Sequence, residues 1–452
     1  MILKKSFILL SLLLSADTIS AETLNNLSLN NALEIMKNNN LELKISKFNE
    51  QMKMQEAKMA KGYNYGKLDV KLQALRSNDA GNIFGFKLKS REATFGDFGF
   101  SEFDMSGQTN PLPVAPKTLN YPDARTHFQT TLTYQVPLYT GGKLDQYGKI
   151  TQALTYMSQL DTEKLLNEKV FQTKKTFYDI SLIEQYIQNL GSIVTNIDQL
   201  ENIVASMKEE GFAKDIDKLE VQARNAEAQS MLSQATYNKE LAYQYLSFLL
   251  NSEVNSIQSL SGLAPLPNIE ENNNLDIQKA ELGLKITDMA IKLEKSKYLP
   301  TVGAFGEYGS SDNTLFNDFT NKDFYTVGLQ LEWNLFNGEI DKQSLEKAKI
   351  ENMKVQNQVE LAKAGIALQL KKLTTNIRSK DAEIRSLETQ YAFAEKVYEN
   401  YEGRYQEGIS SISDVLIKQS KELEVLLKLL TAKNDRNAKV FELTSILNKG
   451  EN

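Results

Sequence analysis

A block of this chain recurs 197 residues later, and that recurrence restricts the folds open to it. Pro137-Leu138-Tyr139-Thr140-Gly141 aligns with Asn334-Leu335-Phe336-Asn337-Gly338. The same offset aligns Glu210-Gly211 with Glu407-Gly408, Asp217 with Asp414, and Leu249-Leu250-Asn251 with Ile446-Leu447-Asn448. A constant offset over so long a span marks a tandem duplication. The expected organisation is a targeting segment over 1–21, a first repeat over 22–251, a linker over 252–274 and a second repeat over 275–452. The linker holds Pro265, Pro267 and Asn272-Asn273-Asn274, a turn-rich composition.

Proline is absent between 138 and 264 and again from 301 to the end, so both stretches are free to be helical. In the second repeat, steps of three and four residues trace an apolar stripe from Leu345 to Tyr401, broken only by Asn352 and Lys380. So narrow a stripe is a coiled-coil seam, and the four-residue step from Ile366 to Leu370 is a stutter that unwinds it locally. Ile180, Ile183, Ile187, Leu190, Val194 and Ile197 keep the same phase in the first repeat. A helix from Gly338 to Glu402 is about 100 Å long, and return helices are expected from near Ser413 to Leu447 and from near Asp217 to Leu250.

Between the helices run four segments of period two. Leu68, Val70, Leu72 and Ala74 alternate with Lys67, Asp69, Lys71 and Gln73. Phe128 to Leu138 and Tyr325 to Leu335 alternate as clearly, and Val302 to Tyr308 more weakly. The runs from Phe128 to Leu138 and from Tyr325 to Leu335 are each about the 9–11 residues that cross a bilayer as a tilted strand, and the apolar/polar alternation is that of a membrane barrel or of a half-buried soluble sheet. Four strands cannot close a barrel, and an open edge in lipid leaves backbone groups unpaired, so in a membrane the chain shares its barrel with further copies.

The N-terminus favours the membrane reading. Lys4 and Lys5 precede an apolar run from Phe7 to Leu14, with Ala21 beyond it, the pattern of a secretory signal peptide cleaved near Ala21. A net charge of −6 speaks against nucleic acid as a partner. The absence of cysteine removes disulfides, thiolate metal sites and a lipid-modified N-terminal cysteine. One histidine, His127, with no serine or carboxylate constellation around it, argues against an enzyme. No phosphate-loop motif is present, and no cofactor or metal is expected.

Gln135-Val136-Pro137-Leu138-Tyr139-Thr140-Gly141-Gly142, Trp333-Asn334-Leu335-Phe336-Asn337-Gly338, Tyr298-Leu299-Pro300, and Tyr405-Gln406-Glu407-Gly408 followed by Ser413-Asp414-Val415-Leu416 stand in an order similar to that of the TolC family of outer-membrane efflux proteins. Phe84-Gly85-Phe86-Lys87-Leu88 and Leu119-Asn120-Tyr121-Pro122-Asp123 also resemble it. The resemblance covers essentially all of the chain after the targeting segment. It implies a mixed fold, membrane β-barrel plus long α-helical barrel, in a homotrimer with twelve strands in outer-membrane lipid and a twelve-helix periplasmic tunnel. It implies a passive exit duct for drugs, small molecules or proteins, working with a periplasmic adaptor (membrane fusion) protein and an inner-membrane RND or ABC transporter in tripartite efflux or type I secretion. A structural or adhesive coiled-coil surface protein is the alternative; it explains the seams but neither the four strands nor the duplication.

The same resemblance assigns sites. The turns at Glu209 to Asp215 and Gln406 to Ser413 correspond to adaptor-docking tips, with Gly211, Arg404, Tyr405 and Gly408 as docking residues. Met207 and Lys208 stand at the first-repeat positions of Arg404 and Tyr405, so the two docking surfaces differ. Asp217 and Asp414 match aspartates of a tunnel-entrance ring, which repeated in three chains would favour cations. Helix capping is the other reading of both, through Asp217-x-x-Glu220 and Ser411-x-x-Asp414. Ser410 and Ile417 depart from the family, which often has an arginine and a second acidic residue there. Tyr134, Tyr139 and Trp333, near strand ends, read as interfacial anchors. The loop from Ser77 to Thr126, longer than Ser310 to Asp323, reads as an ordered external loop that seals or shapes the outer mouth, or as surface variation.

Overall fold

The computed structural model describes residues 23–108, 110, 112–260, 262–268, 273–315 and 321–448. The expected targeting segment, 1–21, lies outside the described residues. Helices α1 (Leu29–Asn39) and α2 (Leu41–Gly62) lead into strand β1 (Lys67–Ser77), followed by α3 (Ala80–Lys89), α4 (Lys117–Asn120) and β2 (Arg125–Tyr139). The hairpin of α5 (Lys143–Glu209) and α6 (Asp215–Leu250) closes the first repeat. The second runs α7 (Leu275–Ser296), β3 (Thr301–Asp312), β4 (Asp323–Glu332), α8 (Ile340–Gln406) and α9 (Ile412–Ile446).

The duplication is written in these boundaries. α5 and α8 are both 67 residues long and start 197 apart, as do α6 and α9. α2 and α7 are both 22 residues long and start 234 apart, the offset that also separates the starts of β1 and β3. The difference between the two offsets is the extra length of the first loop. Asn40 and Asn274, 234 apart, do the same work. Each side-chain oxygen accepts a backbone N–H at the start of a helix, from Leu43 (3.0 Å) and Ile277 (3.1 Å). Each amide donates to the last turn of a return helix, to the Leu249 (2.8 Å) and Ile446 (2.9 Å) carbonyls.

Two compact units can be described separately. One draws on Glu50–Ser158 and Ala280–Val359 and contains the sheet. Its strands pair antiparallel in the order β1-β2-β3-β4. The register sets Leu68 opposite Tyr134, Leu132 opposite Tyr308 and Tyr308 opposite Tyr325, so the apolar members of all four alternating runs share one face. Lys71, Thr131 and Gly309 align on the other. β4 ends at Glu332, three residues short of the expected Leu335, because the chain leaves the ladder at Trp333. Pro137, which has no N–H for a ladder, sits at the irregularity between Pro137 and Tyr139. Gly66 (φ +76°) opens β1 where a Cβ would stand 2.2 Å from the Gln135 carbonyl oxygen.

The other unit draws on residues up to Asn49, on Gln159–Lys279 and from Glu360 onward. Its cores lie along the helix hairpins, as the periodicity expects: Leu370, Leu373, Ile377, Ile384, Leu387, Ala394 and Tyr398 are buried, and Ala362, Ile366, Lys380, Tyr391 and Tyr401 are at least half-buried. The two polar seam residues are satisfied across the seam. Asn352, which belongs to the sheet-bearing unit, donates to Thr287 (2.9 Å) and Asp288 (2.8 Å) of α7, and Lys380, in this unit, pairs with Asp435 of α9 (3.1 Å) as well as Glu383. The expected linker is ordered at its start: Leu24 and Leu27 bridge in parallel to Val254 and Ile257.

Candidate functional site

The sheet presents two chemically opposite faces. Leu68, Val70, Tyr325, Val327, Leu329 and Leu331 are between 63 and 76% exposed, an apolar surface with none of the described residues packed over it. Burying none of it in water would be costly for a soluble domain, and lipid is the solvent that suits it. The opposite face carries Lys67, Asp69 and Lys71 of β1, Gln129, Thr133 and Gln135 of β2, and Glu307 of β3. Two phenylalanines on that polar side lie over glycines of the neighbouring strand. A Cβ on Gly328 would come 2.7 Å from Phe305 Cζ, and one on Gly309 2.9 Å from Phe324 Cζ.

At the helix-bearing end of the strands the expected anchors Tyr134, Tyr139 and Trp333 are all exposed. Tyr134 Oη donates to the Tyr65 carbonyl (2.7 Å), and Trp333 Nε1 to the Tyr298 carbonyl (3.1 Å). Tyr65, Tyr298 and Phe336 are exposed at the same end. The sequence reading missed these three because each lies outside an alternating run.

The hairpin tips are built alike. Gly211 (φ +82°) and Gly408 (φ +73°) take the left-handed conformation after their helices. The next residues' N–H groups reach back to earlier carbonyls, Phe212 to Met207 (2.7 Å) and Ile409 to Arg404 (2.8 Å), which closes each long helix with a Schellman turn. Phe212 and Ile409 are therefore held outward, 76% and 60% exposed, at equivalent positions of the two repeats. Sequence reasoning passed over both, although an apolar residue after a turn glycine was the available signal.

Of the residues assigned to docking, Arg404, Gly211 and Gly408 are exposed. Tyr405 is corrected: at 5% exposure it belongs to the core formed with Leu200, Val204, Ile412 and Val415, so its ring builds the tip from inside. Burial, with a smaller contribution from the charge of Asp217, raises its hydroxyl pKa. Tyr401 lies between two cations, Lys418 Nζ 5.0 Å and Arg404 Cζ 5.5 Å from its ring centre. Ser410, where the family often has an arginine, donates to the Tyr401 carbonyl (3.1 Å).

The two aspartates are both in the first turn of a return helix. Asp414 forms a full capping box: its carboxylate accepts from Ser411 Oγ (2.6 Å) and Ser411 N–H (3.3 Å), and its own N–H donates to Ser411 Oγ (3.2 Å). The hydrogen bonds from Ser411, then Lys418 and Arg404, hold its pKa below the ordinary carboxylate value. Asp217 departs from its expected cap. The helix starts at Asp215, so Asp217 is its third residue and accepts from the Lys214 N–H (2.7 Å), with no box to Glu220. Glu220 instead accepts from Ser413 Oγ (2.7 Å), linking the second turn of α6 to the first turn of α9.

Among the described residues no cluster of side chains suits a metal ion and no helix is long and apolar enough to cross a membrane. Residues 266–449 match the family model described as outer membrane efflux protein. The chain carries an outer membrane efflux protein domain. That match spans the second repeat, and the duplication extends the same plan to the first. Solved structures similar to this chain include the outer membrane protein VceC from Vibrio cholerae, with TM-score 0.75 and 13% identity over 93% of this chain and 96% of that one. The Campylobacter jejuni CmeC outer membrane channel gives TM-score 0.74 and 12% identity over 93% and 86%. The open-state Neisseria gonorrhoeae MtrE outer membrane channel gives 0.74 and 14% over 93% and 88%. At these identities the likeness speaks for the fold. No curated protein matches the chain in sequence. The family is one of outer-membrane channels, not of enzymes.

Proposed function

We propose that three copies of this outer membrane efflux protein close one barrel and one helical tunnel, and that the assembly is a passive exit duct from the periplasm. The observation that carries the reading is the four-stranded sheet: β1 and β4 each keep an unpaired edge, one face is apolar and exposed, and the other is polar. In lipid both edges need partners, and another copy of the chain supplies a β4 edge for β1 and a β1 edge for β4. Closure by repetition puts the polar faces around a water-filled lumen.

Within that duct the tips dock a periplasmic adaptor through Arg404, Phe212, Ile409 and the turn around Gly211 and Gly408. Asp217 and Asp414 add carboxylates near the tunnel entrance, with one oxygen of Asp414 already engaged in capping. Energy comes from an inner-membrane RND or ABC transporter, since the chain has no nucleotide-binding motif. Drugs, small molecules and secreted proteins are the cargo classes that suit such a duct.

The test is reconstitution of the full-length protein in planar bilayers, with chemical cross-linking of the same preparation. Discrete ion-conducting steps together with a cross-linked trimer are the expected result. A protein that inserts as a trimer but never conducts, or that binds no membrane, would sink the reading.

A further inference from the structure

Residues 79–102 do not extend away from the sheet. Asp79 Oδ1 caps α3 by accepting the Asn82 N–H (2.9 Å), and α3 lies down so that the Phe86 ring stacks on His127, with centroids 4.2 Å apart and planes 6° from parallel. The register puts His127 on the polar face with Gln129 and Thr131. Ile83, Phe86 and Ser90 are buried beneath the segment, and on the sheet so are His127, Thr131 and Ser311.

Charged contacts hold the far side of this segment. Glu92 is paired with both Arg125 and Lys322, and Lys322 with Asp312 (2.8 Å). The Arg91 guanidinium donates to the carbonyls of Asn321 (3.3 Å) and Asp323. Under these contacts the fit is incomplete. Ser90 Oγ, Ser311 Oγ, Asp312 Oδ2 and Arg125 Nε are buried with no hydrogen-bond partner among the described residues. A permanent core pairs such groups, whereas lifting the segment would hydrate all four. The cost of their desolvation opposes closure, and the ion pairs favour it.

We propose that residues 79–102 form a lid on the polar side of the sheet, latched by Glu92 to Lys322 and Arg125, and that its lifting widens the outer opening of the duct. The inference rests on the duct reading for the word opening. The movement of the lid is measurable without it.

The chain contains no cysteine, so Ser90→Cys introduces a single thiol at a site that is 0% exposed. Its reaction rate with a membrane-impermeant thiol reagent reports lifting, and bilayer conductance of the same full-length trimer reports the aperture. In a Lys322→Gln or Glu92→Gln background, labelling should accelerate at least about tenfold, the equivalent of 1.4 kcal/mol, and unit conductance should rise. Lys322→Arg should restore both. Labelling that ignores the latch variants would overturn the proposal, and so would faster labelling with unchanged conductance. Latch-dependent labelling in a protein that never conducts would remove the duct reading and the aperture claim together, leaving only a mobile segment.

Discussion

Single residues set how flush the polar side of the sheet is. Phe305 lies across the space a side chain at Gly328 would fill. Gly328→Ala should therefore force the ring away from the sheet and toward the lumen, at an overpacking cost of about 1–3 kcal/mol. The expected outcome is a smaller unit conductance with near-normal trimer yield; unchanged conductance would show that the ring does not bound the pore. Asp414 stands in the first turn of the second return helix. Because Ser411, Lys418 and Arg404 hold its pKa below the ordinary value, its charge persists below the pH at which free carboxylates are protonated. Asp414→Asn keeps an acceptor for the Ser411 contacts while removing that charge. In a salt gradient its reversal potential should move toward zero relative to the parent protein, and the parent's cation preference should persist below the pH at which an ordinary aspartate is protonated.

At the scale of the helix hairpin, the carboxyl of Glu422 on α9 is poorly matched to its surroundings. Burial, then the charges of Glu395, Glu399 and Glu402 on α8, push its pKa up to about 7. A carboxyl whose folded pKa exceeds its unfolded value binds its proton more tightly in the folded state. Its contribution is thus favourable at low pH and is lost as pH rises from about 4.5 through about 7. Partial exposure reduces the effect to about 1–2 kcal/mol. Glu422→Gln should raise helical thermal stability at pH 8 and leave it unchanged at pH 5, and equal effects at both would exclude the titration. Along the same hairpins the seam was legible in the sequence, because a 3.5-residue period survives wherever one face is buried, and the turn glycines were legible because only a left-handed residue ends those helices cheaply. Tyr405 was not, because its burial depends on α5 and α6 residues nearly 200 positions away. Nor was α3, whose Gly81 and Gly85 lower helix propensity and whose support comes from Asp79 and from the stacking of Phe86 on His127. Asp217 was read three helical positions too early, as the N-cap rather than the third residue, since nothing in its neighbours shows that Asp215 already begins the helix.

For the whole assembly the two faces of the sheet make opposite demands on the same substitution. A charge on the apolar face has to enter lipid, at about 2–4 kcal/mol per chain near the midplane, and a homotrimer incurs that cost three times. Leu329, 73% exposed on that face, is a suitable probe. Leu329→Lys should sharply lower the amount of trimer recovered from the outer membrane while leaving the helical signal of the solubilised chain in place, since no helix packs on it. Glu307 lies on the polar face, opposite Thr133 and Thr326. Glu307→Lys should leave trimer recovery unchanged and shift ion selectivity toward anions. If the faces were reversed, with the polar side outward, the outcomes would exchange, and a soluble sheet would tolerate both changes equally. The pair therefore tests in one experiment whether this sheet faces lipid and which of its sides lines the water path.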